Sequence, residues 1–166
     1  MRVVLDNTIL VRANESSQGL ARQLLLKIVT SPHRLLLCNE MLFELAKVLR
    51  YPRLRDLHGL PEHRIYDYIA FLRQISELVP VNPFLMVPIR DVNDIVVVQT
   101  AVLGAADVIC TTDGDFYDPS ITRFLNHRDI AVMDDIALMQ GFGHDPSQWP
   151  FCDRSRGSAE SSELSR

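Results

Sequence analysis

Lysine is nearly missing from this sequence. Of 17 Lys and Arg residues only Lys27 and Lys47 are lysines. The rest are arginine, whose planar fork suits paired contacts to phosphate oxygens. Acids outnumber bases, 21 against 17, for a formal net charge of −4. Bulk charge therefore does not mark a basic nucleic-acid binder. An acidic metal site adds negative charge that bound cations offset, so the balance neither selects nor excludes a nucleic-acid substrate.

Other absences narrow the field further. The cysteines are Cys38, Cys110 and Cys152, with no CxxC pair. A structural zinc site is not expected, and an odd count argues against a disulfide framework. No apolar run reaches the ~20 residues that span a bilayer. The apolar stretch Val3 to Leu5 is too short for a signal peptide and ends at Asp6, so a cytoplasmic location without membrane contact is expected. There is no GxGxxG, no GxxxxGK[ST] and no GxSxG, which removes dinucleotide, P-loop and acyl-hydrolase readings. His33, His58, His63, His127 and His144 lack ligand spacing, and each is expected to face solvent.

What is present is core material: hydrophobic residues make up 47% of 166, enough for one domain. The domain is expected over residues 1–144, with 145–166 a disordered tail. Ser155 to Arg166 is mostly Ser, Glu and Arg, a composition that cannot build a core. Arg2 to Leu5 reads as a buried strand. A helix capped by Ser17 is expected over Ser16 to Val29, with Leu20, Leu24 and Ile28 at helical spacing. Leu35 to Cys38 is a second strand. Asn39 caps a helix to about Arg50, and Pro61-Glu62 opens another to about Ser76. Leu78 to Ile89 belongs to neither class. Asp94 starts a helix ending near Gly104. Its β-branched run Ile95 to Val98 has strand propensity, but the clearer strand Val108 to Cys110 follows closely, so a deeply buried helix is preferred. Ile130 to Met133 is the last strand and Asp134 to Gln140 the last helix. Apolar strands alternating with helices imply an α/β fold, a three-layer α/β/α sandwich with a mainly parallel central sheet.

The carboxylates carry the chemistry. Asp6 follows one strand directly, and Asp113 follows another closely. In a parallel sheet the carboxyl ends share one edge, and ligands bind in the crevice there. Asp is also a common turn residue or helix cap, so either acid alone has a bland explanation. Glu44 lies in an apolar helical stretch and has Lys47 three residues on, a spacing that also suits an exposed ion pair. Asp94 and Asp115 could be caps or ligands, and Asp107 lies at the wrong end of a strand. Converging carboxylates repel and would hold cations. Oxygen donors without His or Cys select a hard ion, Mg²⁺ or Mn²⁺, and such ions serve phosphodiester hydrolysis.

Four short motifs then resemble one family. Met1-Arg2-Val3-Val4-Leu5-Asp6 is similar to the opening strand and first acid of PIN domains, especially the branch of toxin ribonucleases from toxin–antitoxin pairs. The stretch Asn39 to Arg53 resembles the second motif, with Glu44 as its acid. Asp91-Val92-Asn93-Asp94, with Ala101 and Ala106-Asp107, resembles the third, with Asp94 as ligand. Thr112-Asp113-Gly114-Asp115-Phe116 resembles the fourth, with Asp113 the usual acid and Asp115 a companion. The likeness spans about residues 1 to 140.

The resemblance implies a metal-dependent endoribonuclease. Asp6, Glu44, Asp94 and Asp113 would be catalytic, and Asp6, Asp94, Asp113 and Asp115 would be ligands to Mg²⁺ or Mn²⁺. It implies an RNA substrate, a cognate antitoxin protein and a homodimer. Arg12, Arg50 and Arg53 are candidate RNA contacts, and Asn7, Thr8 and Thr112 the groups that steady the acids. One departure stands out. The family reads Asp, then Thr or Ser, then Asn; this chain reads Asp6-Asn7-Thr8. Groups behind metal ligands commonly matter ~10–100-fold, so the alternative is a non-catalytic PIN module that binds RNA or a partner protein. The stretch Leu5-Asp6-Asn7-Thr8 also resembles the start of haloacid-dehalogenase phosphatases, but Thr8 stands where those need a second Asp.

Overall fold

The computed structural model describes residues 1–142; the expected tail at 145–166 lies outside them. Its centre is a five-stranded sheet in the order β3-β2-β1-β4-β5. The strands are β1 (Arg2–Leu5), β2 (Arg34–Leu37), β3 (Ser76–Leu78), β4 (Val108–Cys110) and β5 (Ala131–Met133). Every neighbouring pair is parallel. Val3, Val4 and Leu5 of β1 are fully buried, as is all of β4, because helices cover both faces of such a sheet. This is the expected α/β/α sandwich.

The helices are α1 (Asn7–Arg12), α2 (Leu20–Val29), α3 (Asn39–Val48), α4 (Pro52–His58), α5 (Glu62–Ile75), α6 (Val92–Leu103), α7 (Pro119–Asn126) and α8 (Asp135–Gly141), with a 3₁₀ turn at Gly114–Tyr117. Helix α6 packs across β1, β2 and β4. Its run Val97 to Ala101 is buried, so burial overrides the strand propensity of its β-branched residues. Helix α2 packs on β2 and on α8.

Several boundaries differ from expectation. Gly19, not Ser17, is the N-cap of α2; Ser17 Oγ instead accepts from the Gly19 amide at 3.1 Å. Cys38, not Asn39, caps α3, its Sγ accepting from Met41 N at 3.4 Å. Asp91 caps α6, with Oδ1 accepting from Asn93 N at 2.8 Å, and this leaves Asp94 free in the first turn. Helix α5 stops at Ile75, and Ser76–Leu78 joins β2 as an edge strand. Its central residue Glu77 pairs with Arg2, Nη1 to Oε2 at 3.1 Å, a contact without local sequence signature. The short helices α1, α4 and α7 were not expected. Nor do all histidines face solvent. His33 is half-buried, bonded to the N-terminal amine at 3.2 Å and stacked on Phe142. His58 is half-buried between Leu49 O and Leu60 N. Cys38 and Cys110 are free and buried.

The strand order places the site. From β1 the chain winds outward through β2 to β3, and from β4 it winds the other way to β5. Winding direction reverses between the neighbours β1 and β4, and a crevice opens outside the carboxyl ends at such a reversal. Asp6 and Asp113 leave the sheet at those two ends.

Candidate active site

Asp6 is built in by three donors. As N-cap of α1 it accepts from Asn7 N at Oδ1, 2.6 Å. At Oδ2 it accepts the hydroxyls of Thr8 and Thr111, each at 2.8 Å. Its own amide donates to Cys110 O at 3.0 Å, tying the ends of β1 and β4 together. Asp6 is only 4% exposed, and these donors satisfy the oxygens of a buried acid. Asp113 caps the 3₁₀ turn, accepting from Asp115 N at 2.9 Å, while its amide donates to Thr111 Oγ1 at 3.0 Å.

Four acids from four chain segments meet on the wall of one open cleft of about 470 Å³: Asp6, Glu44, Asp94 and Asp113. Asn7, Thr8 and Thr112 also line it, as do Asp91 and Arg12. Glu44 is half-buried and satisfies both descriptions given to it. It lines the cleft and also pairs with the exposed Lys47 at 3.2 Å. Burial, reinforced by Asp6, Asp113, Asp91 and Asp115 in that order, pushes the Asp94 carboxyl up to about 7. Negative charge is therefore in surplus here.

Other expected residues fall elsewhere. Asp115 is exposed and off the cleft wall; it reaches the site through its charge on Asp94. Arg50 does not line the cleft. Its Nε donates to Glu62 at 2.7 Å and its guanidinium lies 5.1 Å over the Tyr66 ring. Arg53 is exposed on α4, also off the wall. Arg12 is on the wall and is the one cation there among the described residues. Thr112 supports the site through its backbone, its amide donating to Thr8 Oγ1 at 3.4 Å. The hydroxyl that holds Asp6 from β4's end belongs to its neighbour Thr111, a residue the sequence reading missed. Thr111 directly follows the buried strand, and that position was the one available signal.

The residues fit a hard divalent cation. The candidate donors are all oxygens, the chemistry that Mg²⁺ and Mn²⁺ select. Asn7 Oδ1 is buried without a hydrogen-bond partner, beside these carboxylates, and such an orphan acceptor is costly unless something occupies it. Among the described residues no three His, Cys, Asp or Glu side chains already stand in a metal-holding arrangement. Asp6 and Asp113 oxygens are turned instead to intramolecular donors.

Among the described residues no helix is long and apolar enough to cross a membrane. Comparison with curated proteins returns no match. A family model described as PIN domain matches residues 2–115, from the start of β1 through Asp115, a span that contains Asp6, Glu44, Asp94 and Asp113. The fold is thus one generally used by nucleases, and the chain belongs to the PIN domain family.

Proposed function

We propose that this chain is a metal-dependent endoribonuclease that hydrolyses RNA phosphodiester bonds in the cleft at the β1/β4 edge. The observation that supports this is the shared wall of Asp6, Glu44, Asp94 and Asp113, with its surplus charge registered at Asp94. These four acids would hold Mg²⁺ or Mn²⁺. When bound, the cation would supply positive charge against the negative charge that develops on the phosphodiester oxygens and would make water a better nucleophile. Thr8 and Thr111 fix the direction of Asp6. Asp94, pushed up to about 7 by burial and its acidic neighbours, is the acid that a bound cation would return to its charged form. Asp115 contributes through its charge. Arg12 is held by Thr8 O through Nε and by Asp135 through Nη1, and its Nη2 is the donor it would turn to the incoming phosphate.

The test is incubation of purified protein with single-stranded RNA and Mn²⁺ or Mg²⁺, beside Asp6→Asn and Asp113→Asn. Cleavage that persists in both variants sinks the mechanism.

A toxin role, with an antitoxin partner and a homodimer, is supported by the motif resemblance and not by the cleft itself. The alternative, a PIN module that binds RNA or protein without cutting, draws on the exchanged Asn7-Thr8 pair. Against it, Thr8 reaches Asp6 from its exchanged position. Calorimetric titration with Mn²⁺ separates the two: absence of metal binding together with absence of cleavage selects the non-catalytic module.

A further inference from the structure

A second cavity, about 400 Å³, lies beside the acidic cleft. The two share Val11 and Arg12 as a common wall. Their chemistry is opposite. Five carboxylates line the cleft: Asp6, Glu44, Asp91, Asp94 and Asp113. Among the described residues no Asp or Glu lines the second cavity. A strand of RNA that places one phosphate on the carboxylates must carry its next phosphate away from them, and this groove is the neutral exit that Arg12 overlooks.

The groove is preformed. On one side the loop after α1 is braced by the buried Asn14. Its Nδ2 donates to Val11 O at 2.7 Å, and its Oδ1 accepts from Ser16 N at 2.9 Å. On the other side stands α4, which buries none of its residues. Leu54 and Leu57, one helical turn apart, line the groove, and Leu57 is 76% exposed. Ser17 Oγ accepts from Gly19 N at 3.1 Å, and its own hydroxyl proton remains to be donated. At the junction the Arg12 fork is held in place: Nε donates to Thr8 O at 3.1 Å and Nη1 to the buried Asp135 at 3.0 Å. The Arg12 side chain is still 46% exposed.

We infer that this groove binds the unpaired nucleotide next to the scissile phosphate. Its phosphate lies on Arg12, its base against Leu54 and Leu57, and its sugar or base edge on Ser17. The volume lies in the range of small-molecule sites, which are lined mostly by apolar side chains with a few placed polar groups; Leu54 and Leu57 offer the base face apolar contact. The inference rests on reading the acidic cleft as an RNA-cutting site, because continuity with that cleft is what commits the groove to RNA.

The experiment is a methyl and amide NMR titration of the protein with hexauridylate in Ca²⁺, a cation with oxygen ligands that offsets the carboxylates, with the RNA checked to be intact afterwards. Expected are shifts at the Gly19 amide and the Leu54 and Leu57 methyls. Leu57→Glu should weaken binding ~10-fold, and Arg12→Gln should flatten the salt dependence by about one phosphate contact. Arg12→Gln leaves Asp135 unpaired and costs stability, so Leu57→Glu at an exposed position is decisive. Groove signals that stay still while RNA binds overturn the inference. So do groove signals that move with protein concentration alone, which mark a self-association face. Mn²⁺-dependent cleavage is measured separately: cleavage with a silent groove overturns this inference alone, whereas RNA in the groove of a protein that never cuts it sinks the nuclease reading and, with it, the groove's place beside a scissile phosphate.

Discussion

The Thr111 hydroxyl donates to Asp6 Oδ2 at 2.8 Å, between residues 105 apart in sequence. Thr8 donates to the same oxygen at 2.8 Å. The acid that ends β1 is thus steadied by a hydroxyl from its own helix and by one from the end of β4. The exchanged order Asn7-Thr8 does not strip Asp6 of support; it moves the hydroxyl one residue on and leaves Asn7 Oδ1 buried and unpartnered.

Replacing either hydroxyl tests this arrangement. Thr111→Val should cost ~1–2 kcal/mol of stability, since a buried carboxylate loses a donor. It should also lower Mn²⁺ affinity ~10–100-fold. Thr8→Val should act in the same direction. Calorimetry with Mn²⁺ and a urea melt give the two readouts; unchanged affinity in both variants removes these residues from the site.

Asp94 should trade stability for function. Its carboxyl is pushed up to about 7, from 3.8, first by burial and then by Asp6 and Asp113. The folded state therefore holds this proton more tightly than the unfolded chain. The resulting stabilisation is fully present below about pH 4 and is lost as pH rises through about 7. A rise of that size corresponds to ~4 kcal/mol, which solvent screening reduces to roughly 1–2 kcal/mol. Asp94→Asn should raise the metal-free Tm by about 2–8 °C at pH 8, little at pH 4, and abolish stabilisation by Mn²⁺. Thermal melts at both pH values decide it, and a lower Tm at pH 8 would contradict the crowding of charge.

Glu44 and Lys47 can be separated. If Glu44 serves the cleft, Glu44→Gln should reduce RNA cleavage ~100-fold or more without changing Tm. Lys47→Ala, which removes only the exposed partner, should leave cleavage within about twofold. Equal losses in the two variants would assign the effect to the ion pair.

Gly104 seats the end of α6. A Cβ there would lie 2.8 Å from Leu36 Cδ1, 2.8 Å from Thr100 O and 2.9 Å from Val79 Cγ2. Gly104→Ala should cost ~1–3 kcal/mol, the usual range for overpacking. The urea midpoint measures it, and an unshifted midpoint would mean that this end of α6 is free to move aside.

Much of the fold was legible because its signals are local. Four apolar runs gave β1, β2, β4 and β5 to within a residue, and the three long helices α2, α3 and α5 followed from periodicity. The buried helix α6 was readable only by weighing its β-branched run against the nearby strand. The missed elements share a cause. Helices α1, α4 and α7 span 6, 7 and 8 residues, too short to form without packing. The edge strand β3 has three residues and exists because β2 pairs with it.

For the site, sequence by itself determined which acids follow the strands: the buried run of β1 stops at the charge of Asp6, and that of β4 stops at Cys110 and reaches Asp113 through Thr111 and Thr112. Tertiary structure decided the rest. It brought Glu44 and Asp94 onto the same cleft wall, set the Thr111 hydroxyl and not that of Thr112 on Asp6, left Asp115 off the wall, and put Arg12 on the wall while tying Arg50 to Glu62. Those choices depend on the parallel order β2-β1-β4 and on helices laid across it. Contacts between residues tens of positions apart have no local period to announce them; only the packed sheet brings them within hydrogen-bonding distance.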